Sequence, residues 1–470
     1  MTTTTVKASP AKVFFVDMLT RDIELTDAIL DLIDNCLDGA MRKTAIVQPA
    51  DPNKKYAGYE AKITMDRECF TIEDNCGGIP VNVALNQAFR LGNSSFGDDR
   101  TLPTIGVYGI GMKRAMFKMG RHSEVQTKTD EDEYKVIVTP EWLKDDNDWD
   151  LPLSYGKHDL QQCGTKIVIT KLRDSVSRLL NDVPVFQSDL INIISHHFAI
   201  VITKGFKIFL NGNIINPSLT SLMFDENSFG KANGITPYVY KNETNGVTIE
   251  LAVGFYRDLS SDEEDESFLE SRNTSEKAGW TIICNDRVVV YADKTRLTGW
   301  GESNVPGYHT QFIGIAGVVK FTSNDASLLP VTTTKRGIDG NSELYLAVKD
   351  YMRDGLKTFT SFTNKWKSFG NNNTVKSFSN KTVSASSSEI SSLIPKTKWK
   401  NTTKAFGGQF YKPSLPVPKM ETQAKTIKYI VDLKDFNIVA EYLFDNNKVS
   451  GNDLGKKTFE MVLREALENE

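Results

Sequence analysis

Asp27, Asp31, Asn35 and Asp38 recur at three- and four-residue steps, with Asp34 beside them, in the stretch RDIELTDAILDLIDNCLDGA from Arg21 to Ala40. No lysine or arginine lies between Arg21 and Arg42. On a helix these groups share one stripe, where like charges four apart oppose each other by a few tenths of a kcal/mol per pair. A hard divalent cation would relieve that repulsion: magnesium takes one or two protein oxygens and fills its octahedron with water and phosphate. Asp31, one turn before the Asn35 amide, would then orient a water while Asn35 holds the metal. A solvated acidic face is the plain alternative, and this helix alone leaves the two open.

Three further stretches carry chemistry. In IEDNCGGIP, Asp74 stands beside Gly77 and Gly78. A carboxylate accepts hydrogen bonds only, so Asp74 suits an exocyclic amine such as that of adenine, with Gly78 leaving room for the ring and Ile79 covering it; an ordinary tight turn reads the same. In GVYGIGMKRAMFKMG, Gly106, Gly109 and Gly111 open a helix expected over 112–119, whose N-terminal amides and dipole favour phosphate. Lys113 in its first turn suits a phosphate oxygen. The order GxxGxG fits neither the dinucleotide fingerprint nor the Walker loop, since Met112 rather than Lys follows Gly111. In QQCGTKIVITKL, Thr165 begins a strand, and its interest depends on Asp74.

The elements that must position these residues are legible from periodicity. Leu25, Ala28, Ile29, Leu32, Ile33, Cys36, Leu37 and Ala40 form the apolar stripe of a core-facing helix. AKITMDRECFTIEDN reads as two strands with a turn near Asp66 and Arg67. ALNQAFRLG reads as a short helix, followed by a polar segment, NSSFGDDRTLPT, that suits either a lid or a surface loop.

The four motifs, D31-L-I-D-N35-C-L-D38, I-E-D74-N-C-G-G78-I79, G106-V-Y108-G109-I110-G111-M-K113 and C-G164-T165-K-I, stand in one order. That order resembles the ATP-binding (Bergerat) fold of the GHKL superfamily: gyrase, the ninety-kilodalton heat-shock chaperones (Hsp90), histidine kinases and MutL. Within it, YGIGMKRAMFKMG and DNCGGI look most like the microrchidia (MORC) ATPases and their prokaryotic, Hsp90-like relatives. The resemblance implies an α+β chain: an α/β sandwich ATP-binding domain over 1–175, then an S5-like α/β transducer domain over 176–363. It implies ATP and Mg2+ as ligands, Asn35 as the magnesium ligand, Asp74 as the adenine anchor sharing a bridging water with Thr165, and the backbone of Gly106, Gly109 and Gly111 as a phosphate cradle. Asp38, Gly78, Ile79, Tyr108, Ile110 and Lys113 complete the nucleotide-binding set. Asp31 stands where the family carries a glutamate general base, and a side chain one methylene shorter sets the carboxylate back by about 1.5 Å against a required reach of about 3 Å. Cys76 stands where the family carries the first glycine of its DxGxG turn. Lys335, in LPVTTTKRGID, looks like the transducer lysine that reaches the terminal phosphate, with Arg336 next to it; an exposed basic loop is the alternative.

The resemblance further implies a nucleotide-dependent homodimer acting as an ATP-gated clamp, with DNA as the expected partner. A chaperone-like ATPase acting on polypeptide and a non-hydrolysing nucleotide sensor are the other readings. With 470 residues, 40% hydrophobic and 25% charged, the chain holds two or three domains. A net charge of −4 gives no sign of a protein that coats nucleic acid. Cys36, Cys69, Cys76, Cys163 and Cys284 show no CxxC spacing and read as reduced thiols, and no run suits a membrane span, which together point to a cytoplasmic protein. His196 and His197 read as structural, and DEEDES at 262–267 as a solvated loop. Residues 364–425, rich in Ser, Asn, Thr and Lys with scattered aromatics, read as a basic flexible linker with nucleic-acid contact as the rival reading. Residues 426–470 read as a small helical docking or dimerising element.

Overall fold

The computed structural model describes residues 11–90, 110–229, 234–257, 277–332, 337–367, 382–404, 406–418 and 427–468. The chain divides into two units, Met1–Pro418 and Lys419–Glu470. The larger is a mixed α+β structure built on two main sheets.

The acidic stretch is the helix α2, Leu25–Ile46, preceded by α1, Lys12–Arg21. The expected apolar stripe is the buried one: Ala28, Ile29, Ile33, Leu37 and Ala40 are fully inaccessible. The helix packs on a sheet made of β1 (Glu60–Met65), β2 (Phe70–Asp74), β3 (Gly120–Lys128), β4 (Glu133–Val138), β5 (Leu153–Tyr155), β6 (Gly164–Leu172), β7 (Lys207–Leu210) and β8 (Asn213–Ile214), in the order β5-β4-β3-β6-β2-β1-β7-β8. Ala61, Ile63 and Met65 alternate inward along β1 and meet Ile72, Val125, Ile167 and Ile169 of neighbouring strands in one core with α2. The expected turn between β1 and β2 is closed by Asp66, whose Oδ1 accepts from the amides of Glu68 and Cys69 at 2.7 and 2.8 Å. Every pairing in this sheet is antiparallel except β1 with β7.

That exception moves the expected boundary at 175. Strands β7 and β8 complete the first sheet, and Leu190, Ile194, Phe198 and Val201 belong to its core. A parallel partner for β1 requires a long crossover, and helix α4, Ser188–His197, with its continuation Ala199–Thr203, supplies the end of it. The first lobe therefore runs to about residue 215, with α3, Gly111–Met119, beside α2.

The second sheet has the order β13-β12-β14-β11-β10-β17-β16. It comprises β10 (Tyr238–Thr244), β11 (Val247–Phe255), β12 (Gly279–Cys284), β13 (Arg287–Asp293), β14 (Ile315–Thr322), β16 (Lys400–Asn401) and β17 (Gln409–Tyr411). The long helix α5, Glu343–Lys367, packs Tyr345, Met352, Leu356, Phe359 and Phe362 into its core. The expected hairpin of GWTIICNDRVVVYADK is β12–β13, turning at Asn285 and Asp286, both left-handed (φ 45° and 67°).

The linker expected over 364–425 is, in its described parts, folded structure. Strand β15 (Val383–Ala385) pairs with β9 (Leu222–Phe224), Ser386 and Glu389 form a capping box on a short helix, and β16 and β17 extend the second sheet. The aromatics explain why: Trp366 donates Nε1–H to the Pro416 carbonyl at 3.2 Å, Tyr411 is buried, and Trp399 packs against the Tyr411 cluster. Trp366, Trp399 and Tyr411, which the rival reading offered for nucleic-acid contact, pack in these clusters. The smaller unit, described over 427–468, contains two helices, α6 (Leu433–Phe444) and α7 (Gly451–Glu468).

Among the described residues, no helix is long and apolar enough to cross a membrane. The five cysteines are free thiols. His196 stacks on Tyr291 with ring centroids 4.2 Å apart, and the His197 ring lies 2.8 Å from the Val288 carbonyl oxygen, the structural roles expected of that pair.

Candidate functional site

The cavity-facing stripe of α2 and the ends of β2 and β6 enclose a cavity of about 220 Å3. Asp31, Asn35, Asp38 and Arg42 line it from the helix, Asp74, Cys76, Gly78 and Ile79 from the end of β2, Thr165 and Ile167 from β6, and Ile110 and Gly111 from the start of α3. Four stretches spread across about 135 residues of sequence thus meet around one space.

Asp74 is placed at the end of β2 by a close strand crossing. A Cβ on Gly164 would lie 1.9 Å from the Asp74 carbonyl oxygen, so only glycine lets β6 come this near. The Asp74 carboxylate accepts from the Cys76 amide at 2.7 Å. Burial pushes its pKa up to about 6, against the lowering effect of hydrogen bonds from Cys76, Cys36 and the Thr165 amide. Thr165 therefore reaches Asp74 through its backbone, while its hydroxyl lies 3.5 Å from that of Thr127. Thr127 is fully buried and receives the Ile79 amide at 2.7 Å, and Tyr134 donates to the Ile79 carbonyl at 2.6 Å. The turn is held from below by β3 and β4.

The departure at Cys76 has a structural answer. Gly77 and Gly78 take left-handed conformations (φ 103° and 71°), whereas Cys76 is buried against Gly39 of α2, where a Cβ would sit 2.9 Å from the Cys76 carbonyl oxygen. Gly78 lines the cavity, and its missing side chain also makes room for the Lys128 backbone, 2.2 Å from where a Cβ would be.

Asn35 lines the same space, and its amide nitrogen is buried with no hydrogen-bond partner among the described residues. The two ends of an amide are exchanged by a flip and are assigned from their partners. Asn35 thus carries an unspent polar group into the cavity, and its oxygen is the donor type that a hard cation takes. Among the described residues, no cluster of three His, Cys, Asp or Glu side chains forms a metal cage.

Asp31 does not stand alone. Arg114 Nη2 lies 2.8 Å from its Oδ2, both side chains being largely buried. This places a cation in the cavity that the sequence reading assigned to Lys113. Neighbouring residues on a helix point about 100° apart, and here the second of the pair faces Asp31. Lys113 turns away: it is buried, donates to the Arg90 carbonyl at 2.5 Å, and borders a different cavity with Phe89, Met116 and Trp142. Burial lowers its pKa to about 8. Arg114 is thus a cation that faces the cavity, with Arg42 as a second at its edge. Arg42 continues the stripe of Asp38 by four residues and was legible from that spacing; Thr127 gave no signal of its own.

Helix α3 starts at Gly111, and among the described residues no side chain caps its amides, which lie at the cavity. Gly106, Tyr108 and Gly109 of the same motif, and Lys335 with Arg336, lie outside the described residues.

No curated protein matches the chain. Residues 23–170 match the family model described as histidine kinase-, DNA gyrase B-, and HSP90-like ATPase, and this segment, with its α2, β2, α3 and β6 meeting at one cavity, has the character of a GHKL-type ATP-binding domain.

Proposed function

We propose that the protein binds ATP with magnesium in the cavity beneath α2 and hydrolyses it. The observation that carries this reading is the convergence of an adenine-type acceptor, Asp74, with an unpartnered amide, Asn35, and the open N-terminus of α3. Asp74 accepts from the exocyclic amine, Asn35 holds the metal, and the first amides of α3 meet phosphate. Bound magnesium neutralises phosphate charge and orients it. Asp31 takes a proton from the attacking water, and Arg114 sets when it can do so: the ion pair occupies Oδ2 until a competing anion draws the guanidinium away.

That pair also favours a second reading, a nucleotide sensor in which Asp31 stays held by Arg114 and hydrolysis is absent. The resemblance to MORC and MutL supports a wider role as a nucleotide-dependent homodimeric clamp on DNA, with the second sheet as transducer and Lys335 reaching the terminal phosphate.

Magnesium-dependent turnover and ATP affinity, measured for wild type, Asp31→Asn and Asp74→Asn with and without duplex DNA, test all of this. Loss of turnover with retained binding in Asp31→Asn supports hydrolysis; binding without turnover in wild type supports the sensor. DNA stimulation supports the clamp. If wild type binds no adenine nucleotide, the proposal fails.

A further inference from the structure

The residue next to Asn35 faces the other way. Asp34 is 1% exposed, does not line the nucleotide cavity, and its carboxylate meets Arg287 of the second sheet, Nε to Oδ1 at 2.7 Å. Arg287 is itself inaccessible to solvent. It donates from Nη1 to the carbonyls of His197 and Val288 at 3.0 and 2.9 Å, and its guanidinium lies 4.0 Å from the centroid of the Phe198 ring. The neighbouring turn residue Asp286 anchors the same hairpin to the first lobe through Lys204 at 2.7 Å and the Tyr56 hydroxyl at 3.2 Å. The β12–β13 hairpin is thus pinned to the first lobe by two consecutive residues, Asp286 in its turn and Arg287 at the start of β13.

A buried ion pair contributes little net stability, since apolar residues of similar volume often do as well or better, but removing one partner strands a buried charge. What the pair does supply is a fixed geometry. Arginine's rigid fork ties α2 to one rotation and one height relative to the second sheet. Asp31, Asn35 and Asp38 share that helix, so a rotation that released Asp34 would swing all three relative to Asp74.

We propose that Arg287 is a positioning residue for the nucleotide site: from the second sheet it fixes Asp34 and so holds the metal- and water-facing stripe of α2 in register with the adenine pocket. The site is then incomplete without the second lobe, and nucleotide affinity is linked to how the β12–β13 hairpin is seated. By reciprocity, nucleotide binding tightens that hairpin. This inference rests on the ATP reading above.

The test separates register from stability. The double variant Asp34→Leu/Arg287→Met replaces the pair by apolar side chains and strands no charge. Expected is a thermal midpoint near that of wild type, with ATP affinity at least tenfold weaker in a direct titration. ATP affinity within twofold of wild type in the folded double variant overturns the proposal and leaves the pair a packing feature. Hydrogen exchange in the wild-type protein is the second measurement and needs no variant. ATP is expected to slow amide exchange at 285–288 more than at 409–411 on the far side of the sheet; an equal or absent effect overturns the coupling even if the double variant fails to fold. Wild type that binds no ATP overturns both this inference and the reading beneath it, whereas wild-type binding with an indifferent double variant overturns this inference alone.

Discussion

Two cavities flank α3, and the helix sends one cation into each. Arg114 enters a small cavity of about 220 Å3 lined by Asp31, Asn35, Asp38 and Asp74; Lys113 borders one of about 670 Å3 lined by Phe15, Phe89, Phe117, Trp142 and Trp149. The larger space has a mostly aromatic and aliphatic wall, with Lys113, Arg90 and Asp150 as its charged lining residues among those described. The smaller has acceptors, an unpartnered amide and backbone donors converging from three directions. Convergent polar groups, rather than volume, mark the site where a ligand is oriented. The same nine-residue helix opens on the smaller cavity at one end and is a core element along the rest.

The contrast can be broken at four points. The largest effect is expected from Asp31→Asn, which should lower turnover by about 10²–10⁴-fold, the usual weight of a positioned proton acceptor, while leaving ATP affinity within about threefold; steady-state rates and a binding titration check it. Asp74→Asn should weaken ATP by about 10- to 100-fold, the scale of losing a hydrogen bond to a charged group in a buried site, as read by calorimetry.

Acidification should act through the same carboxylate. With a pKa of about 6 in the nucleotide-free protein, Asp74 is ionised above that value and loses its charge below it. ATP affinity should therefore be full above about pH 6 and fall by up to tenfold per unit beneath it. Stability moves the opposite way: the folded-state pKa lies above the unfolded value of about 3.9, so nucleotide-free protein gains stability as pH drops from about 6 to 4. Parallel titrations of affinity and thermal midpoint would show the two trends diverging, and a shared trend would remove Asp74 from its assigned role.

The smallest effect is expected at the second cavity. Lys113→Met should change ATP affinity less than about twofold, a difference worth under about 0.5 kcal/mol. It should also abolish a pH-dependent gain in stability: the Lys113 pKa of about 8 lies below the unfolded value of about 10.4, so the wild-type fold gains stability as pH rises through that window. A large loss of ATP affinity in Lys113→Met would return the phosphate role to this residue and erase the contrast between the cavities.

What the sequence revealed of this arrangement follows from the range of the interactions involved. The stripe of α2, the β1–β2 turn at Asp66 and the glycine-opened α3 are set by residues within a few positions of one another, and all three were legible. The choice between Lys113 and Arg114 depends on how far α3 is rotated about its axis, which the packing of Ala115, Met116 and Met119 fixes and neighbouring sequence does not. Gly78 was recognisable as special, but its close approach to the Lys128 backbone on another strand was hidden. Residues 382–404 and 406–418 read as a linker because their low apolar content masks a few well-placed anchors, Trp399 and Tyr411 among them. Arg287 had no signal at all. It is an ordinary basic residue after a hairpin turn until the fold sets it against Asp34.

The separation of that last pair, 253 residues, gives the nucleotide lobe a clock. Ribosomal synthesis at about 5–20 residues per second leaves roughly 13–50 s between the appearance of Asp34 and that of Arg287. Throughout that interval, a nascent first lobe must either leave the base of α2 open to water or bury a lone carboxylate. The cavity beneath α2 thus has one wall whose buried charge is neutralised only when a residue 253 positions later has been made.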